Sequence, residues 1–166
     1  MRRILAVASL LLLSGCAALN PVAAMQEAGR QLRFSLDRVE PRLELAFPLE
    51  QSRLVLKMDL GVENPTEYRL RTRKVSGALK LAQGGGEHAI GTVAFPVGMD
   101  LASKQRSTLV TEVGLSYADI KAAWNPIKDA VVSHHAATWK LGGEARFEAL
   151  GIEFGVPFNA SKNTGK

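Results

Sequence analysis

His134-His135 is the one histidine pair in a chain of 166 residues, and adjacent imidazoles invite a search for a metal. Neighbouring side chains diverge on a helix and on a strand alike, so the pair makes a poor chelate. No cysteine or well-spaced acid stands near it, and the spacing predicts a solvated helix end. His88 stands alone beside Gly84-Gly85-Gly86 and is expected at the surface. Serines are plentiful, yet no Gly-x-Ser-x-Gly elbow occurs. The triple glycine lacks the core strand before it and the helix after it that a phosphate loop requires. Carboxylate pairs could be drawn from any of the 16 acids, so they signal nothing. The expectation is a protein without catalytic residues, metal or cofactor.

The sharpest surface feature is cationic: Arg69, Arg71, Arg73 and Lys74. With Tyr68, Leu70 and Thr72 facing inward, the three arginines project together from one strand. One reading is an edge strand kept soluble by charge. The other is a site for anions such as lipid headgroups, sulfated or phosphorylated glycans, or an acidic partner, since guanidinium forks suit phosphate and carboxylate. Such binding would weaken as salt rises through the screening range.

Cys16 is the single cysteine. The chain opens MRRILAVASLLLLSGC: Arg2 and Arg3 precede an apolar run, Ile4 to Leu13, of secretory length and too short for a stable bilayer span. Leu13-Ser14-Gly15-Cys16 then looks like a bacterial lipobox, in which small residues suit the signal peptidase and the thiol accepts a diacylglyceryl group. One cysteine cannot form an internal disulfide, and lipidation accounts for it. Several acyl chains make a durable anchor where one does not. Residues 1–15 are therefore expected as a signal peptide and 16–30 as a lipidated, alanine-rich tether with a short helix. Ala17 after the cysteine, by resemblance to enterobacterial sorting, points to the periplasmic face of the outer membrane.

Without Arg2 and Arg3 there are 19 basic residues against 16 acidic, a net charge near +3 instead of +5. That mild excess does not call for nucleic acid. An apolar content of 46% argues against disorder. A single domain is expected over 31–158, followed by a loose polar tail over 159–166.

The period along this domain is two. Leu54, Leu56, Met58, Leu60 and Val62 alternate with Arg53, Lys57, Asp59 and Glu63, which predicts a strand with one buried face. Asn64-Pro65 ends it at a turn. Alternation returns at 68–73, at 75–81 after a phase slip that suggests a bulge, and at 89–95, 107–115, 139–147 and 152–158. Earlier runs lie at 32–39 and 43–47. About seven short strands predict a mostly β fold, an antiparallel sandwich of the immunoglobulin or fibronectin III kind. Between 116 and 131 the period changes. Ser116 to Asp119 fits a capping box, and Ile120, Trp124, Ile127 and Val131 recur at helical spacing. Asn125 as cap with Pro126 at the first position predicts a second helical start, so the insert is two short helices or one kinked one.

The order LVLKMDLGVENP, VSGALKLA, IGTVAFPVGMDLASKQRSTLVTEVGL, a helical insert, then ATWKLGGEARFEALGIEFGVPF resembles the late-embryogenesis-abundant (LEA) type 2 family, also called the water-stress and hypersensitive-response domain. The carrying features are Asn64-Pro65, the turn at Gly84 to Gly86, the W-x-L-x-G strand at Trp139 to Gly143, and Val156-Pro157-Phe158. They span residues 40 to 158. Many members follow Asn-Pro with a second Asn where this chain has Thr66. The resemblance implies a fibronectin-like sandwich with a helix and a non-catalytic role in protecting other proteins during drying or freezing, here held at the membrane by lipid. The competing expectation is a module that binds lipid, with the helical segment near Trp124 gating an opening, or that docks envelope proteins as a subunit of a complex.

Overall fold

The computed structural model describes residues 20–96, 98–149 and 151–165, with the side chain of Ala149 left aside. The expected signal peptide, its Leu13-Ser14-Gly15 motif and Cys16 lie outside the described residues.

A helix α1 (Pro21–Arg30), capped by the Asn20 side chain, leads into β1 (Arg33–Glu44). There follow β2 (Arg53–Asn64), β3 (Leu70–Gln83), β4 (Gly86–Phe95), the two-residue β5 (Asp100–Leu101) and β6 (Gln105–Ser116). The helical insert is α2 (Tyr117–Ile120), a 3-10 turn (Lys121–Ala123) and α3 (Trp124–Val132), after which β7 (Ala137–Ala149) and β8 (Ile152–Thr164) close the chain. All pairing is antiparallel. One sheet has the order β1-β2-β6 and the other β4-β3-β7-β8, with β5 alongside the start of β3. This is the β-sandwich expected from the alternation.

Leu54, Leu56, Met58, Leu60 and Val62 are fully buried on the inner face of the first sheet. Val75, Leu79, Leu81, Trp139, Leu141, Ala145 and Phe147 face them from the second. Burial of this kind stabilises by about 25 cal/mol per Å² of apolar surface. Trp139, the largest buried side chain, donates its indole N–H to Thr164 Oγ1 at 3.0 Å, as a buried indole requires.

The helical insert closes one end of the sandwich. Ile120, Ala123, Ile127 and Ala130 are buried against β1, β3 and β4, and Trp124 meets Tyr117 edge-on at 5.0 Å. The capping box forms as expected: Asp119 N–H donates to Ser116 Oγ, and Asp119 Oδ2 accepts from the Ser116 N–H. The second start differs. The 3-10 turn runs straight into α3, so Ala123 occupies the cap position and Pro126 lies inside the first turn, where its missing N–H has no helical acceptor to lose.

Two expectations are corrected. Run 32–39 and the start of run 43–47 belong to one strand, β1, whose register shifts between Leu36 and Arg38, while residues 45–47 lie in the loop that follows. The tail is structural through Thr164: residues 159–164 continue β8 and pair with Ala137 to Gly142 of β7.

Candidate functional surface

The basic stretch lies at the end of the sandwich opposite the helical insert. Leu70 and Thr72 face inward as the alternation requires, each 2% exposed. Tyr68 does not. It precedes β3 in the loop and is 42% exposed. Nor is β3 an edge strand, since β4 and β5 flank it on one side and β7 on the other, so the solubility reading in its edge-strand form fails. The arginines do reach solvent, but acids from neighbouring elements meet them. Arg69, just before β3, bonds Asp100 of β5 at 3.0 Å, and Arg73 pairs with Glu148 of β7. Arg71 and Lys74 form no ion pair among the described residues. A cleft of about 440 Å³ lined by Arg71, Thr72, Arg73, Gly98, Met99 and Asp100 lies beside them. With Asp100 in its wall and Glu148 on Arg73, the stretch is a mixed-charge ladder more than an open anion site.

The opening corner of β3 is built by Asn64. Its side chain is wholly buried and makes five hydrogen bonds. Nδ2 donates to the carbonyls of Tyr68 (2.7 Å), Ala102 (3.0 Å) and Leu101 (3.3 Å), while Oδ1 accepts from Thr66 N–H (3.1 Å) and Thr66 Oγ1 (2.7 Å). One amide thus ties the end of β2 to the loop before β3 and to the β5–β6 turn. Pro65 suits this turn because no partner is needed for its nitrogen. Thr66 extends the clamp: its hydroxyl accepts from Tyr68 N–H at 3.3 Å and its carbonyl from Lys104 N–H at 3.1 Å. The other resemblance residues are structural too. Phe158 is buried and stacks on Phe34 with centroids 4.7 Å apart, whereas Pro157 is exposed on the edge strand β8, where a missing donor is tolerated.

On the outer face of the first sheet, Arg106 of β6 reaches across Gly61 of β2 to Asp37 of β1. Its Nη2 lies 2.5 and 2.6 Å from the two carboxylate oxygens and 2.8 Å from Ser35 Oγ. Asp37 is the bulged residue of β1, and the bulge aims it inward over Gly61. A side chain at Gly61 would occupy the guanidinium's place. The Arg106 hydrogen bond holds the Asp37 carboxyl below the usual range, against an opposing push from partial burial. A folded-state pKa below the unfolded value means that the clasp contributes fully above the unfolded aspartate pKa of about 3.9 and is lost as pH falls through the depressed value. Urea unfolding of wild type and Arg106→Met should therefore differ most near neutrality, with the gap narrowing as pH falls through the depressed Asp37 value. A gap unchanged across that range would contradict the assignment.

The histidines are not gathered into a site. His135 Nδ1 lies 2.8 Å from Asp129 at the end of α3, and Asp129 also accepts from Gln83 Nε2 at 2.8 Å, pinning the insert to β3. His88 is half-buried on β4, not exposed. No group of three or more possible metal ligands occurs among the described residues.

Sequence reasoning missed the loop from β1 to β2. Leu45 is 62% and Phe47 98% exposed, with Leu49 following. The Phe47-Pro48 step was the available signal, because a residue before proline favours a turn over continued pairing.

No protein-family model matches the chain, and no curated protein sequence matches it. Several solved structures are similar. One, from Arabidopsis thaliana, is 17% identical with a TM-score of 0.47, over 81% of this chain and 78% of that one. A second, described as a late embryogenesis abundant (LEA) protein, is 12% identical with a TM-score of 0.47, over 88% and 78%. A third, from Archaeoglobus fulgidus, is 10% identical with a TM-score of 0.44, over 80% and 98%. At TM-scores below 0.5 these likenesses carry no argument, and the fold rests on its own strand pairing.

Proposed function

We propose that this chain is a non-catalytic protective protein of the LEA type, held at the bacterial envelope by lipid on Cys16, that shields neighbouring proteins during drying or freezing. The family reading comes from the sequence resemblance. The observation that carries it further is the pairing of charge over both outer faces. Arg106–Asp37, Arg38–Asp59 and Arg53–Glu44–Arg42 cross the first sheet. Lys80–Glu87–Lys140, Arg73–Glu148 and Arg146–Glu144 cover the second. In ample water such exposed pairs contribute little. As water is withdrawn the hydrophobic driving force fades, while the local dielectric falls and each pair tightens. A protein that must stay folded as its neighbours dry out gains from this arrangement.

The interior supports a surface role. The space between the sheets is filled by fully buried side chains, and the insert that could have gated a lipid pocket instead plugs the end with Ile120 and Ile127. The test is a labile enzyme taken through freeze–thaw and drying with this protein or an equal mass of an unrelated one. Several-fold higher residual activity is expected, and equal protection by the unrelated protein would remove the reading.

One observation favours a docking module as a second reading. Leu45, Phe47 and Leu49 form an apolar tip about 40 Å from the start of β1, given 3.3–3.4 Å per strand residue. An N-terminal anchor would hold that tip away from the bilayer. Cross-linking in cells should then yield one stable partner that Phe47→Ser abolishes.

A further inference from the structure

The outer face of the second sheet carries a patch unlike the outer face of the first. The strand registers set three rows across β3, β7 and β8: Ala78–Gly142–Asn159, Lys80–Lys140–Ser161 and Ala82–Thr138–Asn163. Two adjoining depressions, of about 690 and 490 Å³, follow these rows and share Lys140 and Glu87. Along β7 the first row lies roughly 13 Å from the third, at 3.3–3.4 Å per residue. On the first sheet β1 turns charge outward at almost every step, with Arg38, Glu40, Arg42 and Glu44. In the three rows only Lys80 and Lys140 are charged, and both bond one carboxylate, Glu87, at 2.9 and 3.0 Å.

Backbone packing does not impose this bareness. Cβ atoms at Gly77 and Gly143 would strike backbone, but one at Gly142 would be crowded only by the Asn159 side chain, with Oδ1 at 2.7 Å. Glycine at 142 leaves room for the Asn159 amide to lie over the floor. The polar groups around it are largely unspent. Among the described residues, Asn159 and Ser161 make no side-chain hydrogen bond. Asn163 Oδ1 accepts from the Thr138 hydroxyl at 2.8 Å, which leaves its Nδ2 to donate elsewhere. Each lysine gives one N–H to Glu87 and keeps the others.

We propose that this groove binds a short neutral oligosaccharide lying along β7. A sugar hydroxyl both donates and accepts, and the groove offers both kinds of partner: ammonium and amide N–H groups on one side of the exchange, the Glu87 carboxylate and the Asn159 and Ser161 oxygens on the other. The floor of Ala78 and Gly142, bordered by half-buried Phe34, suits the C–H face of a sugar ring. An anion fits less well, because Glu87 stands between the two lysines and repels it. A peptide would meet side chains on the face of interior strands β3 and β7, not the bare backbone that strand addition uses. The proposal stands apart from the protective role and does not depend on it.

The test titrates maltotriose into isotope-labelled full chain in phosphocholine micelles and follows the backbone amide resonances. Saturating shifts confined to 78–82, 138–142 and 159–163 are expected at millimolar sugar, unchanged between about 50 and 300 mM salt because the ligand carries no charge. Ala78→Leu fills the floor and Lys140→Met removes a donor, and each should weaken binding about tenfold or more. Thr108→Leu, on the outer face of β6, should bind as wild type. Circular dichroism and unmoved resonances outside the patch check the fold of each variant. No saturation by maltotriose or by triacetylchitotriose, or binding that Ala78→Leu leaves unchanged, would overturn the proposal. Shifts at the patch only with a sulfated sugar, falling away with salt, would overturn it in favour of an anion site. Shifts only with an extended peptide would overturn it too, by assigning the face to other chains.

Discussion

Asn64→Leu is expected to lower the unfolding free energy by about 4 kcal/mol in urea titration, a large share of what a domain this size has to lose. The leucine is of similar size and finds the same buried space. It leaves the carbonyls of Tyr68, Leu101 and Ala102 without a donor and the Thr66 N–H without an acceptor. Asn64→Asp separates polarity from shape. Its first oxygen still accepts from Thr66, but the second faces three carbonyl oxygens, so burial and repulsion disfavour the ionised form and raise its pKa in the fold. A raised folded-state pKa contributes stability below the unfolded value of about 3.9 and loses it as pH rises through the folded value. The Asp variant should therefore lie nearest wild type at acid pH and fall furthest behind at neutrality. A deficit that does not change with pH would mean that the amide's donors are not what the corner needs.

Gly143→Ala is the second large effect, expected to cost about 3 kcal/mol. Gly143 of β7 faces Gly77 of β3 across the centre of the second sheet. A Cβ at 143 would overlap the Ser76 carbonyl oxygen and Gly77 Cα, and a Cβ at 77 would lie 2.7 Å from the Gly142 oxygen. The obstacle is backbone on a central strand, which cannot swing aside as the Arg106 guanidinium over Gly61 can. Gly114→Ala is the control, because its Cβ would meet nothing within 4 Å and reducing unfolded-chain freedom there should be neutral or mildly stabilising. Equal urea midpoints for the two variants would rule out close backbone approach as the reason for glycine at 143.

The same contrast explains what could be read from residues alone. Where large apolar side chains alternate, as at 54–62 and 139–147, the strand and its buried face were legible. Alternation failed as a guide where the inward positions are small or polar. In 159–164 the sheet pairing continues through Ala160 and Thr164, which look like tail residues until Trp139 is seen to need the Thr164 hydroxyl. In β1 the interval Glu40-Pro41-Arg42 interrupts the apolar alternation between Val39 and Leu43, so one strand reads as two weak ones. The turn at Asn64-Pro65 was visible, but not the reach of its amide to carbonyls at 101 and 102. The arginine stretch was visible as well, while its acids at 100 and 148 are distant in sequence and arrive through pairing that composition does not encode.

The strand order β4-β3-β7-β8 also fixes a timetable. A chain is made from its N-terminus, and β3 can hairpin with β4 at once, yet its opposite flank belongs to β7, which begins only at Ala137. Until then β3 waits half-finished, a nascent ribbon with bare backbone along one side. Arg71, Arg73 and Lys74 sit on β3 before Glu148, the partner of Arg73, has been synthesised. During that interval their like charge repels the same ribbon on a neighbouring ribosome's product, and it is neutralised in part when the rightful partner arrives.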